Sequence, residues 1–168
     1  MVYEDVFFSD DYKIFSIKKG KKWGLAKENK EVFVQPNYDK ILFIDAKTYM
    51  VQKSGKWGVI NSRDETIIPV EFSEFDYRPD QGMFFASKKG KWGIVSLRSG
   101  IVLPAVYDNV MILPNRSFLV ENKGLIGVVG PGGKVIVPLE YSTYYYKPDD
   151  SVVRLKHSSG REYKYRIK

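Results

Sequence analysis

Apolar and polar residues alternate with period two through much of the chain, in short runs bounded by Gly, Ser, Asn and Asp. "TYMVQK" at 48–53, "KWGVIN" at 56–61 and "TIIP" at 66–69 are one such series. Each is rich in residues that favour a pleated, half-buried strand. "SG" at 54–55 and "SRDE" at 62–65 separate them as turns. No stretch keeps the i, i+3, i+4, i+7 apolar spacing of a helix over three turns. The pattern therefore predicts three strands, a, b and c, in an antiparallel meander. Pro69 is expected to end the pairing of strand c, because proline has no N–H to donate.

The meander recurs. Trp23, Trp57 and Trp92 are each followed by glycine and lie 34 and 35 residues apart; a further 34 residues lead to Ile126, followed by Gly127. Fifteen residues after these four positions stand Tyr38, Phe72, Tyr107 and Tyr141, each two or three residues after a proline: Pro36, Pro69, Pro104 and Pro138. Asp39, Ser73, Asp108 and Ser142 come next, and are expected to bond a backbone amide two residues on. Eight residues before the Trp positions lie Phe15, Tyr49, Phe84 and Phe118. The first hairpin reads as one residue longer, so Ile14 competes with Phe15. Tyr3 falls one repeat before Tyr38, and a degenerate unit follows Tyr141, with Glu162 and Tyr163 where Trp-Gly would stand. The whole chain, 1–168, thus reads as a single β domain of about four and a half units with no linker. Trp on strand b is expected to be the main apolar contact between units. The glycine beside it lets another backbone pass close, or lets the strand bulge.

Gly-Lys-Trp-Gly at 55–58 and 90–93, the strand and turn that follow, the proline and the closing Tyr-Asp resemble the WG-repeat (KWG-repeat) family of bacterial proteins. The resemblance runs from Tyr3 to about Tyr141. Ile126, Glu162 and Tyr163 depart from its motif. It implies an all-β array of tandem repeats, either an open solenoid or a compact propeller-like spiral or ring, which binds other molecules and has no shared catalytic residues.

Composition narrows the chemistry. There is no cysteine, and His157 is the only histidine, read as an exposed turn residue. No thiolate nucleophile, disulfide or His/Cys metal site can be assembled, and no cofactor is expected. "GVVGPGGKV" at 127–135 lacks phosphate-loop spacing and reads as a hairpin turn. The start, Met-Val-Tyr-Glu-Asp, is acidic where a signal peptide would be basic. No apolar run approaches the roughly 20 residues of a membrane helix. A cytoplasmic protein without membrane contact is expected.

Net charge is +7, which suits an acidic partner. The a–b hairpins hold Lys18, Lys19, Lys21, Lys22, Lys53, Lys56, Lys88, Lys89, Lys91, Lys123, Lys156 and Arg161, or 12 of the 27 Lys and Arg. The Tyr-Asp connectors hold 14 of the 20 acids, Asp39, Asp45, Asp108 and Glu140 among them. Stacked repeats should then show a basic edge and an acidic edge. The basic rim and the patch Tyr144, Tyr145 and Tyr146 are the candidate binding residues. The expected function is non-catalytic docking to another protein, as a small inhibitor or immunity factor of a toxin or nuclease. The alternative is nucleic-acid binding through the lysine rim.

Overall fold

The computed structural model describes residues 3–147 and 149–167. It is all-β. The first sheet holds β1 (Asp5–Ser9), β2 (Ile14–Lys19), β3 (Lys22–Lys27) and β4 (Val32–Tyr38). The second holds β5 (Lys40–Asp45), β6 (Thr48–Lys53), β7 (Lys56–Asn61) and β8 (Thr66–Phe72). The third holds β9 (Glu74–Arg78), β10 (Met83–Lys88), β11 (Lys91–Ser96) and β12 (Gly100–Tyr107). The fourth holds β13 (Asn109–Ile112), β14 (Phe118–Asn122), β15 (Leu125–Val129) and β16 (Val135–Tyr141). The fifth holds only β17 (Thr143–Tyr145), β18 (Val152–Lys156) and β19 (Glu162–Arg166). A three-residue 3-10 turn, Pro131–Gly133, is the only helical piece among the described residues.

Each sheet is an up-and-down meander in sequence order. Strands a, b and c are joined by the connector, which forms a fourth strand on the outer edge of strand a. Its entry is the same in four sheets: the amides of Glu4, Asp39, Asp108 and Ser142 donate to the carbonyls of Lys18, Gln52, Glu121 and Lys156. The first hairpin has no extra residue. Lys19 faces Lys22 as Lys53 faces Lys56, and Phe15 faces Ala26 as Tyr49 faces Ile60. Phe15 therefore holds the strand-a aromatic position, and Ile14 does not.

Strand c does not stop at its proline. Trp57 faces Phe72, Val59 faces Ile68 and Ile60 faces Thr66, so β8 bulges between Ile68 and Phe72 and then pairs again. The shift recurs at the matching places in the first, third and fourth sheets. Proline sits inside the bulge, where no ladder N–H is needed. The bulge lies directly on the Trp-Gly glycine. A Cβ on Gly24, Gly58, Gly93 or Gly127 would meet the backbone of strand c at 2.5 to 2.9 Å.

The tryptophans are not the deepest aromatics. Trp23, Trp57 and Trp92 are half-buried, because each stands at the hairpin end of strand b, opposite the last residue of strand c. Phe7 and the Lys18 ammonium lie 5.7 and 5.3 Å from the Trp23 ring, so the indole covers the hairpin end. Tyr49, Phe84 and Phe118 on strand a are fully buried instead.

By backbone contacts the chain divides into two compact units, one reaching Phe75 and the other starting at Asp76. In the first unit, one face of the first sheet (Ile14, Leu25, Val34, Tyr38) packs on the opposite face of the second (Tyr49, Val51, Ile60). In the second unit, Ile94, Leu103 and Tyr107 of the third sheet pack on Val110, Phe118, Val120 and Val129 of the fourth. Leu119, Ile126, Val128, Val137 and Tyr141 of the fourth then pack on Val153, Leu155 and Ile167 at the fifth. We call the Leu25-type face of a sheet trailing and the Phe15-type face leading. Each fully buried aromatic contributes about 1.5–3 kcal/mol.

Candidate functional site

The hairpin lysines and the connector acids meet. Strand c ends opposite the start of strand b, which carries the Tyr-Asp pair to the a–b hairpin end. There Lys22 donates to Asp39 at 2.5 Å, and the other carboxylate oxygen of Asp39 accepts the Ser54 amide at 2.6 Å. In the second unit Lys91 donates to Asp108, which accepts the Lys123 amide at 2.6 Å. Each aspartate thus ties the hairpin behind it to the turn of the hairpin ahead, 15 residues away. The expected bond to an amide two residues on is not the one formed. Nor are basic and acidic edges separated at these junctions. Lys22 first and the Ser54 amide second hold the Asp39 carboxyl below its ordinary range; Lys91 and the Lys123 amide do the same for Asp108.

Other members of the proposed rim vary. Lys18 pairs with Asp5 at 2.8 Å, which raises its pKa, and Arg161 pairs with Glu140 at 2.5 Å. Lys19, Lys21, Lys53, Lys56, Lys89, Lys123 and Lys156 are exposed, and Lys88 is half-buried. Lys89 and Lys123 take the first turn position with φ of 54°. Asn, Asp or Gly would be the usual residue there.

The three tyrosines do not form one patch. Tyr146 packs against the core between the fourth and fifth sheets. Tyr144 faces Leu155 on the leading side, and Tyr145 faces Arg154 on the trailing side. His157 is half-buried, not an open turn residue: its ring meets Tyr141 edge-on at 6.3 Å, and Nδ1 accepts the Ser159 amide. No group of three or more His, Asp or Glu among the described residues is placed to hold a metal ion. No helix among them is long and apolar enough to cross a membrane.

Two sheet faces stand out that the sequence reading did not single out. On the leading face of the first sheet, Tyr3, Val6, Phe15, Ile17 and Ala26 line a cleft of about 490 Å³, edged by Lys27, Glu28 and Lys30. On the trailing face of the fifth sheet stand Tyr145, Arg154, Lys156, Glu162, Lys164 and Arg166, all exposed.

The register and the Gly-on-bulge geometry are the structural content of the Trp-Gly motif. Residues 23–57 and 57–92 match the family model described as the WG containing repeat. These two stretches are WG repeats. The fourth sheet, outside these stretches, has the same bulge with Ile126 in place of Trp. No curated protein matches the chain. Among solved structures it is similar to a eukaryotic initiation factor, with TM-score 0.42 and 9% identity over 97% of this chain and 51% of that one. It is also similar to Hsv2p of Kluyveromyces lactis, with TM-score 0.38 and 12% identity over 98% and 74%. A third is the Pan2 WD40 domain of Neurospora crassa, with TM-score 0.37 and 13% identity over 92% and 62%. The chain spans about half of the first of these and less than two thirds of the third.

Proposed function

We propose that this chain is a non-catalytic binding protein that docks to another protein through the leading face of its first sheet. One observation carries the reading. In the second and fourth sheets the equivalent faces are sealed, with Tyr49, Val51, Ile60 and Phe118, Val120, Val129 at 1% exposure or less. On the same face of the first sheet Val6 and Phe8 are 52% and 39% exposed and Phe15 is half-buried beside the cleft, while Ile17 and Ala26 at its floor are buried. Apolar side chains left open at the edge of a cleft are what an interaction site presents. The narrower reading is a small inhibitor or immunity factor that blocks a toxin or nuclease; the net charge of +7 supports it.

The test is affinity capture of tagged protein from its native lysate, with and without nuclease, alongside Phe15→Lys. A single stoichiometric protein that survives nuclease and is lost from the variant supports docking at this face. Nothing stoichiometric, or equal recovery by the variant, overturns it. The hairpin lysines would be the site of the alternative, nucleic-acid binding, and the exposure of Lys19, Lys21, Lys53 and Lys56 favours it. The engagement of Lys22 and Lys91 by aspartates counts against it.

A further inference from the structure

The trailing face of the fifth sheet breaks the rule kept by the other four. Across strands a and b, Ser16 faces Leu25, Met50 faces Val59, Phe85 faces Ile94 and Leu119 faces Val128. The strand-b member of each rung, Leu25, Val59, Ile94 or Val128, is completely buried. In the fifth sheet the same rung is Arg154 facing Lys164. Tyr145 extends that rung onto the third strand, Lys156 faces Glu162 on the next rung, and Arg166 faces Val152.

An uncovered end sheet needs a polar outer face, and mixed charges would serve. This face is not mixed. It carries Arg154, Lys156, Lys164 and Arg166 against one carboxylate, Glu162. Two cations stand directly opposite each other, an arrangement that destabilises a sheet. Neither Arg154, Lys164 nor Arg166 belongs to an ion pair among the described residues. Tyr145 stands among them, 50% exposed, with the Lys147 ammonium 5.8 Å from its ring centre.

We propose that this face binds single-stranded nucleic acid, with a base stacked on Tyr145 and the backbone phosphates on Arg154, Lys164 and Arg166. The site is separate from the apolar cleft of the first sheet and from the hairpin lysines other than Lys156. An exposed ring within a basic surface is the arrangement that holds single strands with little sequence preference. In a duplex the base faces are already stacked on one another and closed to Tyr145, whereas a single strand offers them to the ring. An anionic membrane would want apolar side chains beside the cations, and the only exposed ring here is a tyrosine. Guanidinium groups also grip phosphate in bidentate fashion.

The experiment is fluorescence anisotropy of the full chain with a labelled 12-nucleotide oligo(U), from 20 to 200 mM salt. The expected result is binding whose log K falls with log salt at a slope of about −2 to −3, for three to four phosphates. Tyr145→Ala should weaken binding about fivefold or more without changing that slope. Lys164→Glu with Arg166→Glu should weaken it at least tenfold and flatten the slope. A thermal melt checks folding, and Lys164→Gln replaces the reversal if the doubly reversed chain does not fold. Phe15→Lys should leave oligonucleotide binding unchanged, which separates this site from the docking cleft. The proposal is overturned by absent binding at 20 mM salt, or by equal binding of a 12-base-pair duplex or of polyglutamate. It is also overturned if the tyrosine and charge variants bind as well as the natural chain while Lys19→Glu with Lys53→Glu does not.

Discussion

Gly58 lies directly beneath Pro69. A Cβ placed on that glycine would sit 2.7 Å from the proline carbonyl oxygen and 2.6 Å from that of Ile68. Backbone cannot swing aside as a side-chain end can. Gly58→Ala is therefore expected to cost about 3 kcal/mol, the upper part of the range for overpacked sites. Gly55 differs: its φ is +74° with nothing within 4 Å of a Cβ, so Gly55→Ala meets conformational strain alone, about 1 kcal/mol. Urea melts of the two variants should rank them in that order. Equal midpoints would show that the bulge is not the reason for the WG glycine.

Phe84 is fully buried and Phe7 is 60% exposed. Phe84→Ala should cost about 3–5 kcal/mol through lost burial and the cavity left behind. Phe7→Ala, which loses its ring contact with Trp23, should cost no more than about 1 kcal/mol. Thermal melts that found the two alike would contradict the assignment of the strand-a aromatic as the buried anchor.

The Tyr38 hydroxyl donates to Asp64 at 2.7 Å, from the first sheet to a turn of the second. Burial first and Asp64 second raise its pKa. Below the ordinary tyrosine value of about 10 both states keep the proton. Above it the unfolded chain loses the proton and the folded one does not, so stability falls as pH rises. Tyr38→Phe should cost about 1 kcal/mol at neutral pH and make the decline above pH 10 shallower. The remaining slope belongs partly to Tyr49, which burial pushes up to about 12. An unchanged alkaline slope in denaturant melts would count against this bond.

Asp39 and Asp108 titrate below the ordinary carboxylate range in the folded chain. Their contribution is complete above the unfolded value, about 3.9, and is lost as pH falls through the lower folded value. Asp39→Asn and Asp108→Asn should each lower the melting temperature at pH 7 by about 2–4 °C. The gap from the natural chain should close as pH drops below 4. A gap that persists at pH 2 would mean that the carboxylate charge is not what ties the hairpins.

Much of the fold was legible because one period governs it. Alternation located strands a, b and c, and the 34- and 35-residue spacing of Trp57 from Trp23 and Trp92 separated the repeats. Gly beside Trp was readable as a place of close approach, which the bulge on Gly24, Gly58, Gly93 and Gly127 confirms. Strand c crossing Pro36 or Pro69 was not readable, because proline ordinarily ends pairing and only the bulge removes the need for its N–H. The reach of Asp39 to Ser54 depends on which strand ends face each other across sheets, a tertiary fact. Lys164 was in view all along: it stands two residues after Glu162 as Leu25 stands two after Trp23. Its meaning needed the rung on which it faces Arg154.

The bulge also sets the arithmetic of tolerated insertions and deletions. Between Val34 and Tyr38 strand c spends four residues against two on strand b, from Leu25 to Trp23. The surplus is even, so Tyr38 emerges on the same face as Val34 and reaches the core. Losing one residue from Gln35–Asn37 would turn the Tyr38 ring to the opposite face and its aspartate away from both hairpins. Losing two would restore the phase but erase the bulge that accommodates Pro36 over Gly24. Natural length variation in such repeats is expected to fall in the turns and to spare this bulge.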